Sequence, residues 1–211
     1  MSKRINSDMS YPSFWNNLYS NNLDGWSLNA PTPIFVNWES KLKLTNKNIN
    51  ICIPGCGEGY DAIYFAQKGY NVVAIDFSDY AVNKLSKMSK EKKVEIEVVK
   101  EDFFNLDESY YNRFDFILEY TFYCAINPSK RQSYVNQCHR LLKNNGRIIG
   151  ILFPLQERKE EGPPFRVSYT ELEDKFLHKF ILLEKTNNDL SIPPRKDNEL
   201  FYEVLKKLNI I

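Results

Sequence analysis

The sequence predicts an α/β protein: a doubly wound, mostly parallel sheet covered by helices on both faces, with a helical lid ahead of it. Three observations carry this. Between residues 49 and 99 the apolar period switches repeatedly from that of a strand to that of a helix. The first apolar run enters a glycine-rich turn, Pro54-Gly-Cys-Gly-Glu-Gly59, that opens a helical pattern. Gly55, Asp76, Asp102 and Glu119 all fall at the ends of candidate strands, on the edge where open parallel sheets bind ligands.

Taken in order, segments 14–23 and 34–44 carry apolar residues at helical spacing, with Pro12, Pro31 and Pro33 marking the loops around them. They form the lid. A strand over 49–53, a helix over 60–68, a strand over 71–75, a helix over 80–89 and a strand over 94–99 make repeated βαβ units, which imply parallel pairing. A fourth strand spans 114–119. Pro128 starts a helix that runs to 142 and stops at Asn144-Asn145-Gly146, and a fifth strand follows over 147–153. Beyond it, EEGPP reads as a rigid loop, 179–184 as a strand and 199–208 as a closing helix. The whole is one domain over 1–211, with the lid over 1–45 and the α/β core over 46–211.

Charge and composition narrow the function. The 28 basic and 27 acidic residues leave a net charge of +1, so no global field favours nucleic acid or an anionic membrane. The one basic run, from Lys84 to Lys93, is interrupted by Glu91 and reads as a solvated face. Four cysteines without a CxxC pair and two histidines without a ligand partner point to reduced core thiols and metal-free chemistry. With no signal-like or bilayer-length apolar segment, the expected location is the cytoplasm, and the expected partner is a small molecule. A monomer is the default, since no heptad pattern is present.

The glycine turn is the most informative motif. Gly55, Gly57 and Gly59 let the backbone approach a ligand closely, and Asp76 at the end of the second strand can accept hydrogen bonds from both hydroxyls of a ribose. The spacing is GxGxG rather than GxGxxG, and no Lys-Ser or Lys-Thr follows to hold phosphate, so S-adenosylmethionine fits better than a dinucleotide or a nucleoside triphosphate. Asp102 is placed to meet an exocyclic adenine amine and Phe103 to pack on the base. Trp15 and Trp26, with Tyr19 between them, can roof the pocket, where aromatic faces attract a sulfonium by roughly 0.5 to 2 kcal/mol. Two core tryptophans are the competing reading.

The motifs PGCGEGYD, VKEDFF, FDFILEYTFYCAINPSKR, LLKNNGRIIGILFP and GPPFRVS, in this order, resemble the thiopurine S-methyltransferase superfamily over nearly the whole chain, from Trp15 to the expected last helix. EYTFYCAI, the paired tryptophans and SIPPRK are closer to its thiol, halide and thiocyanate branch. The resemblance implies a class I methyltransferase fold, a seven-stranded sheet with its last strand antiparallel, using S-adenosylmethionine and releasing S-adenosylhomocysteine. It implies cofactor roles for Trp15, Trp26, Gly55, Asp76, Asp102, Phe103 and Tyr120. Tyr19 stands where the branch often has tryptophan, and Glu119 where an aspartate is common, with a longer reach to the methionine amino group. Arg131 matches an acceptor-side arginine, and Phe165 belongs to a loop over the pocket.

The implied reaction moves a methyl group to a thiol or thiopurine sulfur, thiocyanate or halide. Such acceptors are nucleophilic as they arrive, and no general base stands in the acceptor-side motifs. Two alternatives share the layout. A nicotinamide oxidoreductase would normally show GxGxxG and a proton-donating residue, whereas a catalytically silent S-adenosylmethionine-binding module would need neither.

Overall fold

The computed structural model describes residues 8–42, 48–156, 162–187 and 189–208. Two short helices, α1 (Pro12–Ser20) and α2 (Pro33–Lys41), precede the sheet, each started by a proline in its first turn. The core then alternates: β1 (Asn50–Pro54), α3 (Tyr60–Gln67), β2 (Asn71–Asp76), α4 (Asp79–Lys92), β3 (Glu97–Lys100), β4 (Phe114–Tyr120), α5 (Arg131–Leu141) and β5 (Leu142–Leu152). β6 (Phe180–Asn187) and β7 (Leu200–Lys206) complete it.

The seven strands lie in the order β3-β2-β1-β4-β5-β7-β6, with β7 antiparallel to both neighbours and the first five strands parallel. The chain winds outward from β1 through β2 to β3, then crosses back to place β4 on the other side of β1. That reversal leaves a crevice beyond the strand ends, where ligands bind in sheets of this kind.

Both faces of the sheet are covered, so its central strands are apolar at successive positions rather than alternate ones. Cys52, Val73, Ile75, Ile117 and Ile148 face one way, into a core with Tyr134, Cys138 and Leu141 of α5. Ile51, Ile53, Val72, Ala74 and Leu118 face the other, against Phe35 and Trp38 of α2, Phe65 of α3 and Leu85 of α4. Helix α4 begins where Ser78 accepts the Ala81 N–H at 3.2 Å and ends on Lys93, left-handed at φ 54°. No helix among the described residues is long and apolar enough to cross a membrane.

Four expectations need correction. The segment 199–208 forms strand β7 rather than a closing helix. Sandwiched between β5 and β6 with both faces covered, it buries nearly every residue, and such a run lacks the alternation that separates strand from helix. Helix α5 stops at Leu141, and Asn144-Asn145-Gly146 lies inside β5. Asn145 does turn left-handed, at φ 64°, but within the strand. β3 starts at Glu97, and β6 extends to Asn187. The expected helix end at Leu44, and Glu160 and Glu161 of the EEGPP loop, lie outside the described residues.

Gly150 in β5 lies under the ring of Tyr202, which pairs with it from β7, and a Cβ there would overlap the ring. Both residues are buried, so the ring has little room to retreat. Gly150→Ala is expected to lower unfolding stability by about 1–3 kcal/mol in a urea titration, with m unchanged.

Candidate active site

Beyond the ends of β1 to β5 lies a cavity of about 670 Å³, lined by Gly55, Asp76, Asp102, Phe103, Thr121, Phe122 and Phe153 among others. Pockets for drug-sized molecules run roughly 300–1,000 Å³. The lid residues Trp15, Tyr19 and Trp26 form part of its wall, as do Pro163, Pro164, Pro194 and Arg195 from the C-terminal part of the chain.

The turn after β1 sets the floor. Gly55 and Gly57 take left-handed backbone angles, φ 57° and 53°, a region costly for residues with a Cβ. Close approach makes the same demand. A Cβ on Gly55 would lie 2.7 Å from Cγ of Phe122, and one on Gly57 3.1 Å from the Tyr19 hydroxyl. Asp76 locks the turn to the next strand, its Oδ2 accepting the Gly57 N–H at 3.0 Å and its Oδ1 the Ser78 N–H at 2.9 Å. Burial pushes the Asp76 carboxyl up to about 6, while the amides of Ser78 and Gly57 pull it back.

Asp102 caps the short 3-10 turn Phe103–Asn105, accepting the Phe104 N–H at 3.0 Å, and borders the cavity. Phe103 is almost wholly buried and meets Phe122 edge-on, ring centres 5.6 Å apart. In the lid, Trp15 and Trp26 pack edge to face at 5.5 Å, and the Trp26 indole N–H donates to the Tyr19 hydroxyl at 3.4 Å. Tyr19 stacks flat on Tyr80 at 5.0 Å. Burial, and then the charge of Asp76, push the Tyr19 phenol far above its ordinary value, so it stays protonated. Polar contacts tie this layer to the core: among them Ser78 Oγ donates to Asn16 Oδ1 at 2.7 Å, Ser27 Oγ to Glu58 at 3.3 Å, and the N–H of Thr32 to Asp61 at 2.7 Å.

An adenosyl ligand suits this donor set. The backbone amides use only part of the roughly four acceptor sites of the Asp76 carboxylate, leaving capacity for sugar hydroxyls. The aromatic walls suit a base and a sulfonium.

Seven of the expected residues therefore line one cavity: Trp15, Tyr19, Trp26, Gly55, Asp76, Asp102 and Phe103. Gly57 acts from just behind it, through its N–H to Asp76. The structure places the others elsewhere. Glu119 is fully buried and spends its oxygens inside the protein, accepting the Tyr123 N–H at 2.8 Å and the Tyr134 hydroxyl at 3.0 Å, so it cannot reach a ligand amino group. Burial raises it to about 7. Tyr120 donates to Glu199 at 2.5 Å and accepts from Arg195, supporting the wall rather than forming it.

Arg131 is buried in an ion pair with Glu171 at 3.4 Å and donates to the carbonyl of Arg166 at 3.0 Å, so its guanidinium clamps a loop and does not border the cavity. Phe165 does not border it either. Its N–H donates to the Cys124 carbonyl at 2.7 Å, and this anchors the loop whose Pro163 and Pro164 do face inward. Sequence reasoning passed over Thr121, Phe122, Phe153 and Arg195. Arg195 offers the clearest missed signal, an arginine directly after a proline pair and shortly before a buried strand, yet nothing local says that it faces a pocket.

The family described as thiopurine S-methyltransferase matches residues 10–208. "Probable thiol methyltransferase 2" of Arabidopsis thaliana is 32% identical over 188 residues, spanning 88% of this chain and 81% of that protein. Thiocyanate methyltransferase 1 of Brassica oleracea is 30% identical, with 88% and 81% covered, and the thiopurine S-methyltransferase of Photobacterium profundum is 25% identical, with 87% and 91% covered. Among solved structures, the 1,6-didemethyltoxoflavin-N1-methyltransferase of Burkholderia thailandensis superposes with a TM-score of 0.73 over 93% of this chain and 87% of that one. At 19% identity this likeness speaks for the fold alone. The chain belongs to the thiopurine S-methyltransferase family and is a methyltransferase that draws its methyl group from S-adenosylmethionine.

Proposed function

We propose that this cavity methylates a small, soft nucleophile, a thiol or thiopurine sulfur, thiocyanate or halide, with the cofactor seated between the glycine turn and the lid. The observation that carries the reading is the make-up of the lining: the strand-end carboxylates Asp76 and Asp102 share one cavity with Phe122, Cys124, Ala125, Ile126 and Phe153. When bound, the cofactor supplies an electrophilic methyl carbon on a positively charged sulfur.

In this reading Asp76 accepts the sugar hydroxyls and Asp102 the adenine amine, while Trp15, Tyr19 and Trp26 close over the sulfonium. The apolar wall keeps water out and aligns the acceptor, and alignment of this kind can supply up to roughly 7–11 kcal/mol. A thiol loses its proton to solvent before transfer. Cys124 is no alternative nucleophile: burial pushes its thiol up to about 12. The near-zero net charge supports a small-molecule acceptor rather than nucleic acid, and we read the protein as a cytoplasmic monomer.

Release of S-adenosylhomocysteine, measured with a panel of aliphatic thiols, hydrogen sulfide, 6-mercaptopurine, thiocyanate and iodide, tests this directly. Turnover of at least one sulfur or halide acceptor is expected; none across the panel would leave a silent cofactor-binding module. Replacing Asp76 by Ala is expected to weaken S-adenosylmethionine binding by about 2–4 kcal/mol in calorimetry, since hydrogen bonds to a charged group contribute roughly 1.5–3 kcal/mol each.

The pH dependence follows from the same carboxylate. Its folded value, about 6, lies above the usual 3.8, so the folded chain binds more protons than the unfolded one between those values. The contribution of Asp76 to stability is therefore greatest at low pH and is lost as pH rises from about 4 to about 6. Cofactor affinity runs the opposite way, because protonation removes the acceptor. It should fall below about pH 6 by up to tenfold per pH unit, and a flat affinity from pH 7.5 to 5 would count against the sugar contact.

A further inference from the structure

We infer that Phe122, aimed into the cavity by a left-handed Thr121, is the wall that restricts the acceptor to small nucleophiles. The inference rests on the methyl-transfer reading of this cavity and names what sets its substrate range.

Thr121 has φ 67°, a conformation that a β-branched residue adopts only under strain. The surrounding structure holds it there. Glu119, fixed in the core, accepts the Tyr123 N–H, and the Tyr123 hydroxyl donates to buried Glu171 at 2.6 Å. Downstream, the N–H groups of Ala125 and Ile126 both donate to the Phe122 carbonyl, at 2.9 and 3.2 Å. With Tyr123 pulled inward on both its backbone and its hydroxyl, the preceding residue turns the other way, and Phe122 is left half-buried on the cavity wall.

Its ring sits over Gly55, in contact with the glycine itself, and is braced by Phe103 at 5.6 Å and Tyr134 at 5.9 Å. Cys124, Ala125 and Ile126, which follow it closely in the chain, line the same cavity, so the ring opens an apolar segment distinct from the strand-end carboxylates Asp76 and Asp102. The whole space is about 670 Å³, within the roughly 300–1,000 Å³ that a single drug-sized ligand occupies, so a bound cofactor leaves limited room for an acceptor. What remains is bounded by this ring, which cannot move toward Gly55 and is backed by two other aromatics. A sulfide or short-chain thiol fits beside it; an aryl thiol meets the ring.

The test compares the wild-type protein with Phe122→Ala and the milder Phe122→Leu, using ethanethiol and 2-naphthalenethiol as acceptors. The ratio of kcat/KM for the aryl thiol over the small one is expected to rise at least about tenfold in the Ala variant and less in the Leu variant. Affinity for S-adenosylhomocysteine should change by less than about threefold. An unchanged ratio overturns the inference, and so does loss of S-adenosylhomocysteine binding in both variants, which would make Phe122 part of the cofactor seat. Calorimetric binding of each thiol to the S-adenosylhomocysteine complex reads the same selectivity without turnover. If the wild type methylates neither these thiols nor any acceptor of the panel above, the function reading fails on turnover, while the binding ratio still supports or overturns the role of Phe122.

Discussion

The Asp76 carboxylate accepts the Gly57 N–H on one oxygen and the Ser78 N–H on the other, so the corner between β1 and β2 has its shape before any ligand arrives. Burying a carboxylate is costly, and burial holds Asp76 up at about 6 even against the pull of its amide partners. Charge-assisted bonds to backbone amides offset part of it. Much of the site depends on this one group. Ser78, positioned by Asp76, caps α4 through its hydroxyl and donates to Asn16 of α1, while Gly57 presents its bare Cα to the Tyr19 hydroxyl. Cavity floor, helix start and lid are thus joined through five residues, Asp76, Gly57, Ser78, Asn16 and Tyr19.

Glu119 repeats the device at the end of β4 with a different outcome. It too is a strand-end carboxylate, and it too accepts a backbone N–H from the turn that follows. Its second oxygen, however, takes the Tyr134 hydroxyl deep under α5, and no part of it reaches the cavity. One strand-end acid faces the cavity and the other holds a loop. Arg131 and Glu171 belong with the second kind, since removing one partner of so buried a pair leaves an uncompensated charge in the core.

What was legible in the sequence was local in origin. The glycine turn, Asp76 and Asp102 lie within the repeated βαβ segment, where element ends and site coincide, and pattern alone put them on one edge. Glu119 and Arg131 occupy equally suggestive positions, but only packing tells whether a strand-end acid points outward or inward. Phe122 and Arg195 were passed over because their roles come from contacts across 67 and 169 residues, to Gly55 and Trp26. β7 was misread for a related reason: its neighbours on both sides come from distant parts of the chain and bury both its faces, erasing the alternation that marks an exposed strand.

Arg195 shows how the two ends of the chain close the site. Its guanidinium donates to the Trp26 carbonyl at 2.9 Å and to Tyr120, lies over the rings of Tyr120 and Phe153, and stands 3.9 Å from Glu199. With both members of the pair almost wholly buried, desolvation consumes much of the attraction, and the pair adds little to stability for that reason. Its effect is geometric, because a planar fork stacked between two rings can hold the Trp26 carbonyl in only one place. Glu199 neutralises the charge, so the wall beside Phe153 supplies shape rather than a positive field. Around Arg195 the site therefore presents aromatic surface more than charge to whatever occupies the cavity.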